Sequence, residues 1–187
     1  MKLLILDRDG VINEEADDFV KSPEEWRPIP GSLEAIARAS RAGCRVVVAS
    51  NQSGLGRGLY SIETLNQIHQ KMLLELAAVG GSIEAIFFCP HTPEDDCDCR
   101  KPKAGLFEDI ARRLRVSLTN VPIVADRISD IQAAKTVGAK PYLVLTGRGR
   151  QTLREAHGLY NVPVYADLHA VVDTLFATIW ADSPASH

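Results

Sequence analysis

KLLILDRDGVIN, Lys2 to Asn13, is the stretch that decides the fold. Its four consecutive apolar residues, Leu3 to Leu6, read as a short strand buried on both faces that stops abruptly at Asp7, Arg8, Asp9 and Gly10. In open α/β sheets ligands bind just beyond the carboxyl ends of such strands, so Asp7 and Asp9 stand where chemistry is usually done. Two carboxylates at this spacing can chelate a divalent cation, or can divide the roles of nucleophile and general acid/base. Taken alone, D-x-D-G is also a common polar exit from a strand into a glycine turn. Partners elsewhere in the chain have to decide.

Downstream, strand-like and helix-like stretches alternate. Residues 14–30 are acidic at first and proline-rich at the end, which suits an ordered loop. Ser32 is the expected N-cap of a helix whose apolar stripe is Leu33, Ile36 and Ala37 and which closes at Gly43. Arg45 to Ala49 is a second buried strand, ending in SNQSGLGRG. Ser61 caps a long helix, Ile62 to about Val79, with Leu65, Ile68, Met72, Leu73 and Leu76 at helical spacing. His69 on that helix reads as a packed residue, not a ligand. EAIFFC, VPIVA and PYLVL are further strands, separated by helices from Leu106 to Leu114 and from Ser129 to Val137. A short strand at Val162 to Tyr165 and a helix from Asp167 to Trp180 follow.

Unbroken alternation predicts a three-layer α/β/α, Rossmann-like fold with a mainly parallel sheet and right-handed crossovers. It also places Asp7, Ser50, Cys89 and Asp126 at strand exits along one rim. We expect one domain over residues 1–181, with the loop 89–99 inserted and residues 182–187 as a flexible tail.

Three of the four cysteines, Cys89, Cys97 and Cys99, lie within eleven positions together with His91. Three thiolates and an imidazole form a closed tetrahedral set suited to structural zinc. Cys44 stands apart and reads as a small buried hydrophobe.

Composition narrows the field. A net charge of -3 and 24% charged residues give no global basic field, so sequence-independent nucleic-acid binding is not favoured. No run approaches the roughly 18 apolar residues of a membrane span, and the N-terminus has no signal-peptide pattern. A cytoplasmic, monomeric protein with a small-molecule partner is expected.

The order of two acids, a hydroxyl, a lysine and another acid pair resembles the haloacid dehalogenase superfamily of phosphatases and phosphotransferases. The resemblance covers residues 2–147, through LDRDGVIN, Ser50 in VVVASNQSG, Lys101 in CRKPKAG, and Asp126 with Asp130 in VADRISD. It implies Asp7 as the nucleophile, Asp9 as general acid and then base, and Ser50 and Lys101 on the phosphate. It further implies Mg²⁺ held by Asp7, the Asp9 carbonyl and Asp126. The logic is that of phosphoryl transfer, in which a hard cation and fixed positive charge offset repulsion between an anionic nucleophile and a dianionic phosphate.

C-x-H followed by C-x-C-R-K-P resembles, within the superfamily, the D-glycero-D-manno-heptose 1,7-bisphosphate 7-phosphatases and their relative, the histidinol-phosphate phosphatase domain. That implies substrate contacts from Asn51, Gln52, Ser53, Arg100 and Arg127, with Arg57 or Arg148 open to a second phosphate. No large cap domain fits between the motifs, so residues 14–19 and the zinc loop are expected to wall the pocket. Two departures stand out: Ala125 replaces the usual glycine before Asp126, and Asp17, Asp18 and Phe19 replace a Gly-Tyr pair. Three functions follow: a heptose bisphosphate phosphatase, a histidinol-phosphate phosphatase, or a non-catalytic phospho-accepting module.

Overall fold

Along Lys2–Leu6 the side chains alternate between two cores: Leu4 and Leu6 join one buried cluster, Leu3 and Ile5 another on the opposite face. This strand, β1, is covered on both sides, as its unbroken apolar run requires. The computed structural model, which describes residues 2–180, sets it inside a six-stranded sheet. The other strands are β2 (Cys44–Asn51), β3 (Ala85–Cys89), β4 (Pro122–Ala125), β5 (Lys140–Val144) and β6 (Val164–Tyr165). Their spatial order is β3-β2-β1-β4-β5-β6, and every neighbouring pair is parallel.

Chain direction across the sheet therefore reverses between β1 and β4. Such a switch point opens a crevice at the strands' carboxyl ends. Leu6 pairs with Val48 on one side and Val124 on the other, and Asp7 N donates to Val124 O at 3.0 Å. The first acid thus leaves the sheet between the exits of β2 and β4.

Helices α1 (Ser32–Arg41), α3 (Ile62–Ala78) and α7 (Leu168–Thr178) cover one face through Ile36, Ile68, Met72, Leu76, Val171 and Leu175. Helices α4 (Gly105–Leu114) and α5 (Ile128–Thr136) cover the other through Phe107, Ile110, Ala133 and Ala134. Two short helices, α2 (Ser53–Gly56) and α6 (Gly149–Glu155), sit just after β2 and β5. The three layers and the parallel sheet match the sequence expectation, and among the described residues no cap domain is inserted. No helix among them is long and apolar enough to cross a membrane.

Local chemistry corrects several details. Ser61 does cap α3, accepting from Thr64 N at 3.2 Å. Ser32 is not a cap: it is the first residue of α1, its hydroxyl donates to Val11 O at 2.8 Å, and Gly31 precedes it at φ 83°. The serine is spent on tying the loop to the helix, and glycine supplies the left-handed turn. Helices α2 and α6 were not expected, because their glycines and short length hide any period. The loop 14–30 is pinned by buried Val20, Trp26 and Ile29 and holds one 3₁₀ turn, Pro23–Glu25. The tail expected at residues 182–187 lies outside the described residues.

Candidate active site

Burial of charge marks the centre. Asp7, Lys101, Asp126 and Asp130 are all buried, at 7%, 2%, 0% and 2% exposure, where unpaired charges would be costly. Lys101 resolves most of that cost. Its Nζ donates to Asp7 Oδ1 at 3.2 Å, to the Ala49 carbonyl at 2.8 Å and to Asp130 Oδ1. Its main chain is held by Asn51, whose Nδ2 donates to Lys101 O at 3.0 Å while Oδ1 accepts from Lys101 N at 3.2 Å. Burial opposes the ammonium charge, but the two carboxylates raise its pKa. Asp7 Oδ1 also accepts from Arg8 N at 2.9 Å, and Asp7 lines the cavity.

One lysine does not neutralise the whole cluster. Burial, then the neighbouring Asp130 charge, push Asp7 up to about 7 against the pull of Lys101. Burial and the Asp7 charge push Asp126 up to about 8. Asp126 Oδ2 accepts from Arg148 N at 2.8 Å, but Oδ1 is buried with no partner at all. An orphaned carboxylate oxygen on one raised acid, beside a second raised acid, is the donor set of a hard divalent cation. The residues present fit Mg²⁺, which would hold these acids ionised.

Glycines make room for that carboxylate. A Cβ on Gly10, φ 81°, would lie 2.1 Å from Asp126 Oδ2, and one on Gly147 would lie 2.3 Å from it. Ala125 does not displace Asp126: it is an ordinary strand residue, outside the left-handed region. The departure from glycine at this position is harmless here.

Asp9 sits in a different environment. Arg8 grips both of its oxygens through Nη2, at 2.9 and 3.1 Å, Asn13 Nδ2 donates at 2.9 Å and Gln52 Nε2 at 3.0 Å. Burial would raise its pKa, yet the Arg8 charge and these bonds hold it below the usual carboxylate range. Behind it lies a buried polar network that sequence reasoning missed. Arg8, 1% exposed, also meets His69 Nε2 at 3.3 Å and Gln52 Oε1 at 3.4 Å. Gln52 in turn donates to Ser50 Oγ at 2.7 Å and accepts from Tyr60 at 2.8 Å. Burial and the Arg8 charge push His69 down to about 4, so it is neutral and accepts. The available signal was the parity of β1: Leu4 and Leu6 face the core under α3, and Arg8 continues that even-numbered series.

A cavity of about 520 Å³ opens over these groups, lined by Asp7, Asp9, Asn51, Gln52, Lys101 and Asp130 at its floor. Arg100, Arg127 and Arg148 line its outer wall, as do Glu15, Asp17 and Phe19. Of the expected substrate contacts, Asn51, Gln52, Arg100 and Arg127 reach it. Ser50 and Ser53 are buried and do not line it; Arg57 lies elsewhere, near Glu94 at 4.0 Å. Phe19 adopts φ 63°, a left-handed conformation costing a bulky residue about 1–3 kcal/mol. Lys21 Nζ steadies that turn from the carbonyls of Asp18, at 2.8 Å, and Phe19, at 3.4 Å. The zinc loop walls the cavity only indirectly, since residues 89–99 do not line it but the adjoining Arg100 to Pro102 do.

In that loop Cys89, His91, Cys97 and Cys99 converge, with all four ligand atoms within 4.8 Å of one another and no disulfide formed. The thiol separations are 3.1, 3.6 and 3.6 Å, and His91 Nδ1 lies 3.5 and 3.3 Å from Cys89 and Cys99. Tetrahedral zinc with bonds near 2.3 Å separates its sulfur ligands by roughly 3.8 Å, so the set fits a zinc ion with small adjustment.

Two family models match the chain: polynucleotide kinase 3 phosphatase over residues 2–131 and HAD-hydrolase-like over residues 98–175. A D-glycero-beta-D-manno-heptose-1,7-bisphosphate 7-phosphatase of Bordetella bronchiseptica is 54% identical over 175 residues, 94% of this chain and 98% of that protein. The chain belongs to the haloacid dehalogenase superfamily of phosphatases. A member with the same heptose phosphatase name, from Pseudomonas putida, is 50% identical over 179 residues, 94% of this chain and 99% of that one. The crystal structure of the Bordetella bronchiseptica D,D-heptose 1,7-bisphosphate phosphatase, complexed with magnesium and phosphate, superposes with a TM-score of 0.93. It covers 95% of this chain and 99% of that one at 54% identity. The Burkholderia thailandensis enzyme of that name superposes at 0.77, with 43% identity over 95% of this chain and all of that one. Membership accounts for the acid rim, and the heptose phosphatases match the chain over nearly its whole length.

Proposed function

We propose that this superfamily phosphatase hydrolyses D-glycero-β-D-manno-heptose 1,7-bisphosphate at its 7-phosphate, with Mg²⁺ held by Asp7, the Asp9 main-chain carbonyl and Asp126. The observation that carries the reaction type is the Asp7–Lys101–Asp130 cluster beside the unpartnered Asp126 Oδ1. Asp7 attacks phosphorus and the bond to the sugar oxygen breaks; Asp9, ionised in the empty site and protonated by the entering phosphate monoanion, gives that oxygen the proton. Water then attacks the aspartyl-phosphate, Asp9 takes the water's proton, and Asp7 is regenerated with release of phosphate. The grip of Arg8, Asn13 and Gln52 keeps Asp9 ionised, the form required for this second step. Lys101 offsets charge on the equatorial oxygens, and the cation supplies further charge neutralisation. Phosphate monoesters hydrolyse so slowly unaided that enzymes can owe them up to about 10²¹ in rate, which is why a preassembled charged rim is needed.

Substrate choice rests on the outer wall. Three arginines, Arg100, Arg127 and Arg148, line it, which favours a substrate carrying a second anionic group over the cationic histidinol phosphate. Arg100 and Arg127 are assigned to substrate, with Asn51 and Gln52 at the floor; Ser50 and Ser53 act from below. Zinc at Cys89, His91, Cys97 and Cys99 is structural, fixing the loop that delivers Arg100 and Lys101. A purely phospho-accepting module would have no use for that loop or for the arginine wall.

Phosphate release from the heptose bisphosphate by the purified chain with Mg²⁺ is the test. It should be fast, should exceed that from histidinol phosphate in kcat/KM, and should vanish in Asp7→Asn. Equal release by wild type and Asp7→Asn, or none by either, rejects the proposal.

A further inference from the structure

Three strand exits converge on one ion-paired group in the outer wall. Glu15 follows β1, Arg127 follows Asp126 at the end of β4, and Arg148 immediately precedes α6 after β5. Arg127 Nη2 pairs with Glu15 Oε1, and Arg148 Nε pairs with Glu15 Oε2 at 3.1 Å. The Glu15 side chain is only 13% exposed, whereas the two guanidinium side chains are 45% and 42% exposed. All three residues line the cavity that holds Asp7 and Lys101.

The two arginines are fixed relative to the reaction centre. Arg127 is the residue after Asp126, and Arg148 N donates to Asp126 Oδ2 at 2.8 Å. Glu15 is set otherwise. The residue before it is anchored, Glu14 N donating to Arg27 O at 2.8 Å, so the Glu15 side chain can turn away while the loop stays tied at residue 14. A carboxylate between two guanidinium groups occupies the place that a phosphate between them would take, and arginine forks suit both anions.

We infer that Glu15 is a built-in competitor for the substrate's second, non-transferred phosphate: it holds Arg127 and Arg148 together in the empty site and yields them when a bisphosphate enters. This rests on the bisphosphate reading above. The product of the reaction still carries the second phosphate, so the returning Glu15 carboxylate also helps to expel it. Glu15 is thereby a specificity-determining residue that limits affinity for substrate and product alike.

The test compares kcat/KM for the heptose 1,7-bisphosphate with that for the heptose 7-phosphate, at fixed Mg²⁺ and ionic strength, in the full chain. Taking the ratio of two substrates cancels any loss of folded enzyme. Glu15→Gln should raise the ratio about twofold to fivefold, the upper range of exposed charge pairs, through a lower KM for the bisphosphate. It should strengthen inhibition by the heptose 1-phosphate product by a similar factor. Glu15→Asp should return both quantities toward wild type, and Arg148→Gln should lower the ratio. A Glu15→Gln ratio that is unchanged or lower overturns the inference, because Glu15 is then a structural tie and not a competitor. If wild type itself releases nothing from the bisphosphate, the substrate reading fails instead, and the two failures are distinct.

Discussion

The acid rim and the zinc loop are both clusters of groups that repel or cost energy when buried, yet they are assembled in opposite ways. Asp7, Lys101, Asp126 and Asp130 come from positions up to 123 residues apart and meet because β1 and β4 lie side by side and Asn51 at the end of β2 holds the Lys101 main chain. Much of their charge is balanced within the protein, through the bonds from Lys101. Cys89, His91, Cys97 and Cys99 lie within eleven residues, on a loop with exposed acids whose apolar anchors are the ligands Cys89 and Cys99 themselves. The first cluster is made by the fold and uses a cation for chemistry. The second depends on a cation for its shape.

Removing charges from the rim should therefore hurt activity far more than folding. Asp7→Asn deletes the proposed nucleophile, and kcat should fall by at least about 10⁴-fold. The same change removes an acid whose pKa burial and Asp130 have raised, so the thermal midpoint of the metal-free variant should equal or exceed that of wild type. A large loss of stability in Asp7→Asn would mean that the Asp7–Lys101 bond outweighs this repulsion. Lys101→Ala acts differently. It leaves Asp7 and Asp130 buried without their cation, which should cost about 3–5 kcal/mol in urea unfolding and about 10²–10³ in kcat.

What the sequence revealed follows the same division. The zinc set was legible because its ligands are close in the chain and few other roles suit a C-x-H with a C-x-C. The rim acids were legible as strand exits, since short apolar runs ending in Asp7, Ser50 and Asp126 mark one edge of a parallel sheet. Resemblance then supplied their roles. The side-chain pairings behind and above the rim were not legible. Arg8 looks like a surface residue between two acids, and only its burial against His69 and Gln52 shows it gripping Asp9. Glu15 reads as one acid among several on a loop, and its clasp on Arg127 and Arg148 requires three strand ends to be placed. The Ser32 cap failed for a related reason: a good capping residue was needed more by the Val11 carbonyl across the loop.

Stripping the zinc should break the comparison at its other side. Chelation, or Cys97→Ser, should unfold residues 89–99 locally and release Arg100, whose Nη1 now reaches only the His91 carbonyl at 3.4 Å. KM for the bisphosphate should rise roughly tenfold, as is common when a support of bound groups is lost, while the six-stranded sheet keeps its far-ultraviolet circular dichroism. Hydrogen exchange confined to the loop would confirm the division between fold-made and metal-made clusters. Unchanged kinetics in verified zinc-free protein would show that Arg100 and Lys101 are placed by Asn51 and the sheet alone.

The smallest expected effect is the most direct measure of the charge left unbalanced at the rim. Burial and neighbouring carboxylates push Asp7 up to about 7 and Asp126 up to about 8 in the folded, metal-free protein, against an ordinary 3.8. Between these limits the folded state binds more protons than the unfolded state, so stability must fall as pH rises. His69 works the other way, pushed down to about 4 from an ordinary 6.5, so stability gains from it as pH rises to 6.5 and not beyond. Asp9, with its lowered pKa, is ionised in both states throughout this range. From pH 6.5 to 8 the two raised acids therefore act alone among these groups, and stability in Mg²⁺-free buffer without chelator should decline by up to about 1.4 kcal/mol per pH unit for each proton. Millimolar Mg²⁺ favours the ionised carboxylates and should flatten or reverse that slope, with zinc kept in place in both arms. A metal-free slope near zero would mean that Lys101 already balances the rim, and that Asp126 Oδ1 does not depend on a cation.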